Sequence, residues 1–202
     1  MRGPDESVVR RLVREAVERA LASQGGARGS APSTPSAPPA PAPALSSVPA
    51  PATPRRVAIG SDHGGFELKE VLKREIAEEL GWAVHDCGTH STDAVDYPDF
   101  AAAVAREVAS GRCSRGIVID AAGIGSTMAA NKVAGARCAL CHDDVTVRNA
   151  REHNDANVLA IGAKVVNRGL AARMVRLFLS TAFGGGRHER RVQKIMALER
   201  GR

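Results

Sequence analysis

Three polar segments follow apolar, strand-like runs in this sequence, and their residue types suit proton transfer on a small polar substrate. They are SDHGG at 61–65, DAAGIGS at 120–126 and HNDAN at 153–157. Carboxylates and imidazoles can move protons near neutral pH. A glycine-rich turn that opens a helix directs several backbone N–H groups at one point. Such a turn can hold a phosphate or stabilise the oxyanion of an enediolate.

Short apolar strands alternate with helices from residue 55 to residue 202. The predicted strands are 57–61, 83–86, 116–120, 137–141 and 158–162. The predicted helices are 66–80, 100–110, one that follows the glycine-rich turn and runs to 132, 145–152, 167–179 and 189–200. This alternation predicts an α/β fold: a doubly wound, five-stranded parallel sheet in an α/β/α sandwich. Ligands of such folds bind at the carboxyl ends of the strands, so we expect the three segments to converge on one edge.

The four cysteines do not indicate a metal or redox site. Cys138 and Cys141 have the CxxC spacing, but no second pair completes a zinc site, and the pair lies in a strand-like run. We therefore expect them to be small buried residues. Nothing in the cysteine content demands an oxidising compartment, which favours the cytoplasm.

The composition excludes several classes of partner. The net charge of +6 arises from 28 basic and 22 acidic residues without a run of five like charges, and only 3% of residues are aromatic. Both features disfavour nucleic-acid binding. No apolar run approaches the roughly 20 residues of a membrane span, and charges interrupt the N-terminus where a secretion signal would be apolar.

The chain before residue 55 has two further segments. Residues 5–22 carry an apolar stripe at spacings of three and four and predict an amphipathic helical tag within residues 1–22. Residues 23–54 are rich in Pro, Ala and Ser and predict a disordered, extended linker. Residues 55–202 form the third segment, the predicted catalytic domain.

The predicted tag has three interpretations. It resembles the encapsulation peptides that direct enzymes into bacterial microcompartments, where a helix docks into a groove of a shell or cargo protein. Its arginines could favour a membrane surface, but the stripe lacks Trp, Phe and Tyr. It could also be an extension that packs on its own domain.

Longer motifs in 55–202 resemble the ribose-5-phosphate isomerase B and galactose-6-phosphate isomerase family. The matching segments are GSDHGGFELK at 60–69, DYPDFA at 96–101, GIGSTMAANKVAG-R at 123–137, REHNDANVLAIGAKVV at 151–166 and GGRHERRV at 185–192. The resemblance implies aldose–ketose isomerisation of a phosphorylated sugar without metal or organic cofactor. It also implies a homodimer, or a tetramer, whose active sites each draw on two subunits.

The resemblance implies roles for the matching residues. His153 would help to open the sugar ring, Asn154 would contact the substrate, and Asp62 and His63 would line the sugar pocket. The backbone that stabilises the enediolate would belong to Ala121, Ala122, Gly123, Ile124 and Gly125.

The phosphate would be bound by Arg187 and Arg191, because the guanidinium group carries a permanent charge and a planar set of donors.

One departure from the family pattern concerns the catalytic base. Where many members have Cys-Gly-Thr-Gly, this chain has Asp120-Ala-Ala-Gly, and Ser126 stands where other members have a glutamate base. Asp120 is then the best candidate base, with Asp62 tuning it. Burial and like-charge repulsion between the two carboxylates predict a raised pKa for at least one of them.

Because the 120–126 loop departs from the family pattern, more than one sugar phosphate is a candidate substrate. Ribose 5-phosphate to ribulose 5-phosphate is the leading reaction, and isomerisation of a tetrose or hexose phosphate is a close alternative. The chain could also be a sugar-phosphate-binding protein that has lost catalysis.

Overall fold

The computed structural model describes Glu15 and residues 55–201. The predicted tag and linker lie outside the described residues, apart from Glu15. The elements, in chain order, are β1 Arg56–Ser61, α1 Phe66–Glu78, β2 Ala83–Asp86, α2 Tyr97–Ala109, β3 Arg115–Asp120, α3 Ile124–Ala130, β4 Cys138–Leu140, α4 Asp144–Asn154, β5 Val158–Gly162, α5 Arg168–Ser180 and α6 Glu189–Ala197. Short 3-10 turns, Gly186–His188 and Leu198–Gly201, flank α6.

The five strands form one parallel sheet in the order β2-β1-β3-β5-β4. This confirms the predicted doubly wound fold. The chain moves outward from β1 to β2 and then returns to the other side of β1 with β3. The loops after β1 and β3 therefore diverge at a switch point, which is where ligands bind in sheets of this kind.

Alternate residues of the central strands face two different helical layers. In β5, Leu159 and Ile161 pack with α1, α4 and α5, whereas Val158 and Ala160 pack with α2 and α3. The larger layer includes Phe178 and Met174 of α5, both fully buried. This two-sided burial explains why the strands are continuous apolar runs instead of alternating ones.

Small residues let α2 approach the sheet closely. A Cβ atom added at Gly116 would lie 2.7 Å from Val104 Cγ1, and one at Gly60 would lie 2.9 Å from Val104 Cγ2. The helix begins at Tyr97, three residues before the predicted start, because Pro98 suits the first helical turn. The remaining element ends agree with the prediction or differ from it by at most three residues, as helix and strand ends commonly do.

The apolar face of α1 includes a buried lysine. Leu72 and Ile76 are fully buried, and so is Lys69, whereas Leu68 is only half-buried. Lys69 Nζ donates to Asp86 Oδ1 at 2.8 Å and to the Thr89 carbonyl at 2.7 Å. Helix α1 therefore fixes the start of the β2–α2 loop through a buried charge.

Cys138 and Cys141 are buried free thiols, as expected. Burial raises the pKa of Cys138 to about 12 and that of Cys141 to about 11. Both thiols are therefore protonated and inert at neutral pH. Within the part of the chain that the structure describes, no helix has the length and apolar character needed to cross a membrane.

Candidate active site

Asp62 and Asp120 lie at the carboxyl ends of neighbouring strands. Ser61 at the end of β1 pairs with Ile119 of β3, and the Asp62 N–H donates to the Ile119 carbonyl at 3.2 Å. Both aspartates are buried, with exposed fractions of 8% and 5%. The predicted juxtaposition of these two residues at one edge of the sheet is therefore present.

The Asp120 carboxylate is held by its own loop. Its Oδ1 accepts from the Ala122 N–H at 2.8 Å and from the Gly123 N–H, and its Oδ2 accepts from the Ser126 N–H at 3.0 Å. Burial alone would raise the pKa of Asp120, but these bonds and one from the Ser126 side chain hold the pKa below its usual value. The rise expected for at least one of the two carboxylates does not occur at Asp120, because hydrogen bonds to its carboxylate outweigh desolvation.

The hydrogen bonds to Asp120 determine which backbone N–H groups of the 120–126 loop remain free to bind a ligand. The N–H groups of Ala122 and Gly123 are occupied by Asp120, whereas those of Ile124 and Gly125 have no partner among the described residues. Gly123 has a φ of 80°, and an added Cβ there would lie 2.4 Å from Leu140. This packing fixes the loop with two free backbone donors beside a carboxylate.

Asp62 and His63 shape the adjoining turn. Asp62 Oδ1 accepts from the Gly65 N–H at 3.0 Å and so stabilises the start of α1. His63 is exposed, and its Nδ1 accepts from the Val95 N–H at 3.3 Å. The β1–α1 turn is thereby tied to the β2–α2 loop at the same edge. Asp62, His63 and the 120–126 loop are called the carboxyl-edge cluster below.

His153 and Asn154 do not belong to this edge. They form the last turn of α4, which runs back across the sheet, and Asn157 three residues later accepts from the Gly116 N–H at the start of β3. The expected convergence of all three segments is therefore wrong within one chain. The rule for carboxyl ends applies to loops that directly follow strands, whereas a full helix separates His153 from β4.

A second polar cluster surrounds His153 at the amino edge. Its imidazole stacks on that of His188 with ring centroids 4.2 Å apart and planes 5° apart. Its Nδ1 lies 2.8 Å from the side-chain nitrogen of Asn149, and Asn154 Nδ2 in turn donates to Asn149. This set, with Arg187 and Arg191, is called the amino-edge cluster.

The arginines of the amino-edge cluster are exposed and cationic. Arg187 Nε donates weakly to His188 Nε2 at 3.5 Å, and Arg191 lies one turn further along α6. Burial, then the nearby His153, Arg187 and Arg191, lower the pKa of His188 below its usual value. The lowered pKa favours the neutral form of the His188 ring that stacks on His153.

Three residues in or near these clusters were not singled out from the sequence. Asn149 precedes His153 by four residues on α4, and that spacing on a helix could have indicated it. Lys69 gave no such signal, because its partner Asp86 lies 17 residues away. Lys164 is an exposed cation whose N–H donates to the Ala121 carbonyl at 3.0 Å, next to the carboxyl-edge cluster.

An apolar groove of about 590 Å³ borders the edge strand β4 and the amino-edge cluster. Its lining includes Leu140, Val145 and Ile195 together with Asn149 and Asn154. Val145 and Ile195 are among the exposed large apolar residues of the described chain. The groove thus joins apolar surface to the polar residues around His153.

Comparison with known proteins gives a consistent result. The family described as Ribose/Galactose Isomerase matches residues 57–195. Ribose-5-phosphate isomerase B of Escherichia coli is 42% identical over 148 residues, which cover 73% of this chain and 99% of that protein.

Solved structures agree in fold as well as in sequence. Ribose-5-phosphate isomerase B of Clostridium thermocellum has a TM-score of 0.70 and 48% identity, over 72% of this chain and 98% of that one. The Mycoplasma genitalium enzyme with bound ribulose-5-phosphate has a TM-score of 0.70 and 38% identity, over 73% and 97%.

Proposed function

Because this chain belongs to the ribose/galactose isomerase family and is a sugar-phosphate aldose–ketose isomerase, we propose that it interconverts ribose 5-phosphate and ribulose 5-phosphate. The similarity to a structure with bound ribulose-5-phosphate over 97% of that chain carries the proposal. The presence of a buried carboxylate beside free backbone donors also supports it, since the reaction needs a base and an oxyanion site.

The proposed step at the carboxyl-edge cluster is a proton transfer between two carbons. The Asp120 carboxylate removes the C2 proton of the open-chain aldose, which leaves an enediolate. The N–H groups of Ile124 and Gly125 stabilise its oxygens, and the hydroxyl proton moves from O2 to O1. Asp120 then returns the proton to C1, giving the ketose. Asp62 and His63 line the sugar pocket beside this loop.

The amino-edge cluster supplies the other roles in this proposal. His153 helps to open the sugar ring, Asn154 contacts the substrate, and Arg187 and Arg191 bind the phosphate. Five residues of β5 separate the two edges, which is about 16 Å at roughly 3.3 Å per residue. One chain therefore cannot apply both clusters to one pentose phosphate.

A homodimer resolves this separation by bringing the amino-edge cluster of one copy to the carboxyl-edge cluster of its partner. The groove along β4 supports this arrangement, since it offers apolar surface next to Asn149 and Asn154. Exposed Ile124 and Met128 on α3, at the other cluster, offer a second apolar surface. Burial of such patches is what stabilises association.

Two observations favour alternative functions. The Asp120-Ala-Ala-Gly loop borders the sugar, so a tetrose or hexose phosphate is an alternative substrate. The carboxylate of Asp120 is also engaged by three backbone N–H groups and has a lowered pKa, which weakens it as a base. That second observation favours a sugar-phosphate-binding protein without catalysis.

Proton NMR in D₂O with a panel of sugar phosphates separates these functions. We expect the full chain to form ribulose 5-phosphate from ribose 5-phosphate and to incorporate deuterium from solvent. Faster turnover of a tetrose or hexose phosphate would identify that sugar phosphate as the substrate instead. Binding without isomerisation of any member would contradict the proposed catalytic function.

A finer part of the proposal concerns the place where the enzyme works. Residues 5–22 act as an encapsulation tag on the 23–54 linker and place a cytoplasmic isomerase inside a bacterial microcompartment. The amphipathic stripe and the Pro/Ala-rich composition support this role.

Deleting residues 1–54 tests the tag. We expect kcat to stay unchanged, because the described cluster residues all lie between 62 and 191. Co-assembly with shell proteins in a reconstituted compartment should be lost. A truncated chain that still enters the compartment, or one whose turnover collapses, would contradict the assignment.

A further inference from the structure

The side-chain amide of Asn149 has one orientation in the amino-edge cluster. Asn154 Nδ2 donates to Asn149 Oδ1 and to the Asn149 carbonyl, both at 3.2 Å. The amide oxygen of Asn149 is thus an acceptor towards Asn154. Its NH₂ group is then the atom that faces His153, at 2.8 Å from Nδ1.

An amide N–H donor at Nδ1 determines the tautomer of a neutral imidazole. A donor needs a lone pair to point at, so Nδ1 is unprotonated and the ring proton is on Nε2. A carboxylate or carbonyl in the same place would select the opposite tautomer, with the proton on Nδ1. Because the Asn149 oxygen already accepts from Asn154, only its NH₂ group can face His153, and this selects the Nε2–H tautomer.

The ring plane is fixed independently of the tautomer. His188 stacks on His153 with a 4.2 Å centroid separation, and this stacking disfavours rotation of the His153 ring away from the His188 ring. With Nδ1 bonded to Asn149, Nε2 is the polar ring atom of His153 that bonds to no described residue. It is the atom available to a ligand.

We propose that Asn149 is a positioning residue that holds His153 as the Nε2–H tautomer, so that His153 protonates the ring oxygen of a cyclic sugar phosphate. The inference rests on the proposed function. In the step, the bond between C1 and the ring oxygen breaks and the ring oxygen takes the Nε2 proton. The anomeric hydroxyl gives up its proton as the C1 carbonyl forms. A water molecule passes that proton to Nε2 and so returns the transient imidazolate to the neutral Nε2–H form; His153 is partly exposed, so water can reach it.

Nitrogen-15 NMR of the full chain labelled at histidine reads the tautomer without substrate. His153→Gln identifies the His153 signals by their loss. We expect the neutral form of His153 to carry its proton on Nε2. In Asn149→Asp the carboxylate can only accept, so the proton should move to Nδ1. Arg148→Ala, an exposed change on the same helix, is the control that should leave the tautomer unchanged.

Kinetics separate positioning from a structural effect, because ribulose 5-phosphate cannot close into a ring and its C1 proton exchange needs no ring opening. In Asn149→Asp we expect turnover of ribose 5-phosphate to fall about tenfold or more, with exchange into ribulose 5-phosphate within about twofold of wild type. An Nδ1–H tautomer in the wild type, an unchanged tautomer in Asn149→Asp, or equal losses in both reactions would overturn the proposal. Absence of ribose 5-phosphate turnover in the wild type would instead refute the proposed function.

Discussion

Asp120 combines two tasks at the residue scale, since it anchors the 120–126 loop and is the proposed base. Its lowered pKa keeps it ionised throughout the neutral range, at the cost of weaker basicity. A thiol in this position would be mostly protonated at pH 7, with an ordinary pKa of about 8.5. Aspartate in this position is therefore ionised but weakly basic, whereas cysteine would be more basic but mostly protonated at pH 7.

Replacing Asp120 by Asn tests the base and keeps most of the backbone bonds to the loop. The amide oxygen can still accept from the N–H groups of Ala122 and Gly123, which keeps two of the three backbone bonds to the loop, whereas the bond from the Ser126 N–H is lost. We expect turnover and deuterium incorporation at C2 to be nearly abolished, while calorimetry shows binding of ribose 5-phosphate within about threefold of wild type. Near-normal turnover would show that the base lies elsewhere. In the wild type, no acid limb from Asp120 should appear above pH 5, because its pKa is lowered.

Arg187 and Arg191 should act on the phosphate alone. Changing either to Ala removes charge-assisted hydrogen bonds worth about 1.5–3 kcal/mol. We expect kcat/KM for ribose 5-phosphate to fall by about 10- to 150-fold, with little change for ribose itself. Arg190→Ala is the matched control, since Arg190 is an exposed arginine of the same helix. Equal losses on both sugars would indicate a structural role.

Site residues could be predicted where the signal is local in sequence, and not where their partners are distant in sequence. Asp62 and Asp120 directly follow apolar strands, and that local signal placed them correctly. The burial of Lys69 was not predicted, because nothing near it in sequence indicates that Asp86 and Thr89 would bind its ammonium group. The lowered pKa of Asp120 was not predicted either, since its hydrogen-bond donors depend on how the loop folds back on the carboxylate.

At the scale of elements, the strand and helix order was predictable because two-sided burial produces apolar runs. The path of helix α4 was not predicted from the sequence. Its capping box at Asp143 and Thr146 and its left-handed end at Asp155, with a φ of 46°, were readable only from the structure. These ends define a helix that crosses the sheet, so His153 is carried to the amino edge.

Asp86 makes the junction of α1 and β2 pH-sensitive. Burial alone would raise its pKa, but hydrogen bonds from Lys69, Lys73 and the Gly88 N–H lower the pKa to about 2 from 3.8. A carboxyl group with a depressed pKa stabilises the fold above its unfolded value and loses that contribution as pH falls through the folded value. The affected window is therefore pH 4 down to pH 2.

Denaturant unfolding of Asp86→Asn should reveal that contribution. We expect the variant to be less stable than wild type at pH 7 and to lose less stability between pH 4 and pH 2. Asp99→Asn, at an exposed position of α2, should retain the wild-type slope. The same steep loss in Asp86→Asn as in wild type would contradict the assignment to Asp86.

At the scale of the whole molecule, the two clusters predict complementation between inactive chains. A dimer of Asp120→Asn with His153→Gln has one site with both changes and one unaltered site. Random mixing of the two chains gives about half heterodimers, so about a quarter of wild-type turnover should return. Mixing Asp120→Asn with Asp62→Asn should restore nothing, because both changes affect the same cluster. Equal recovery in both mixtures would contradict sites shared between copies.

The separation of the clusters across the sheet also has a thermodynamic consequence. In the proposed homodimer, a sugar phosphate held by the loop of one copy and the arginines of another would bind only the associated form, so ligand binding and association would be linked. Linkage is reciprocal: a ligand that prefers the dimer tightens the dimer by the same factor by which association tightens the ligand. Substrate would then act as an assembly factor for its own enzyme, and dilute chains would become complete catalysts as the sugar phosphate accumulates.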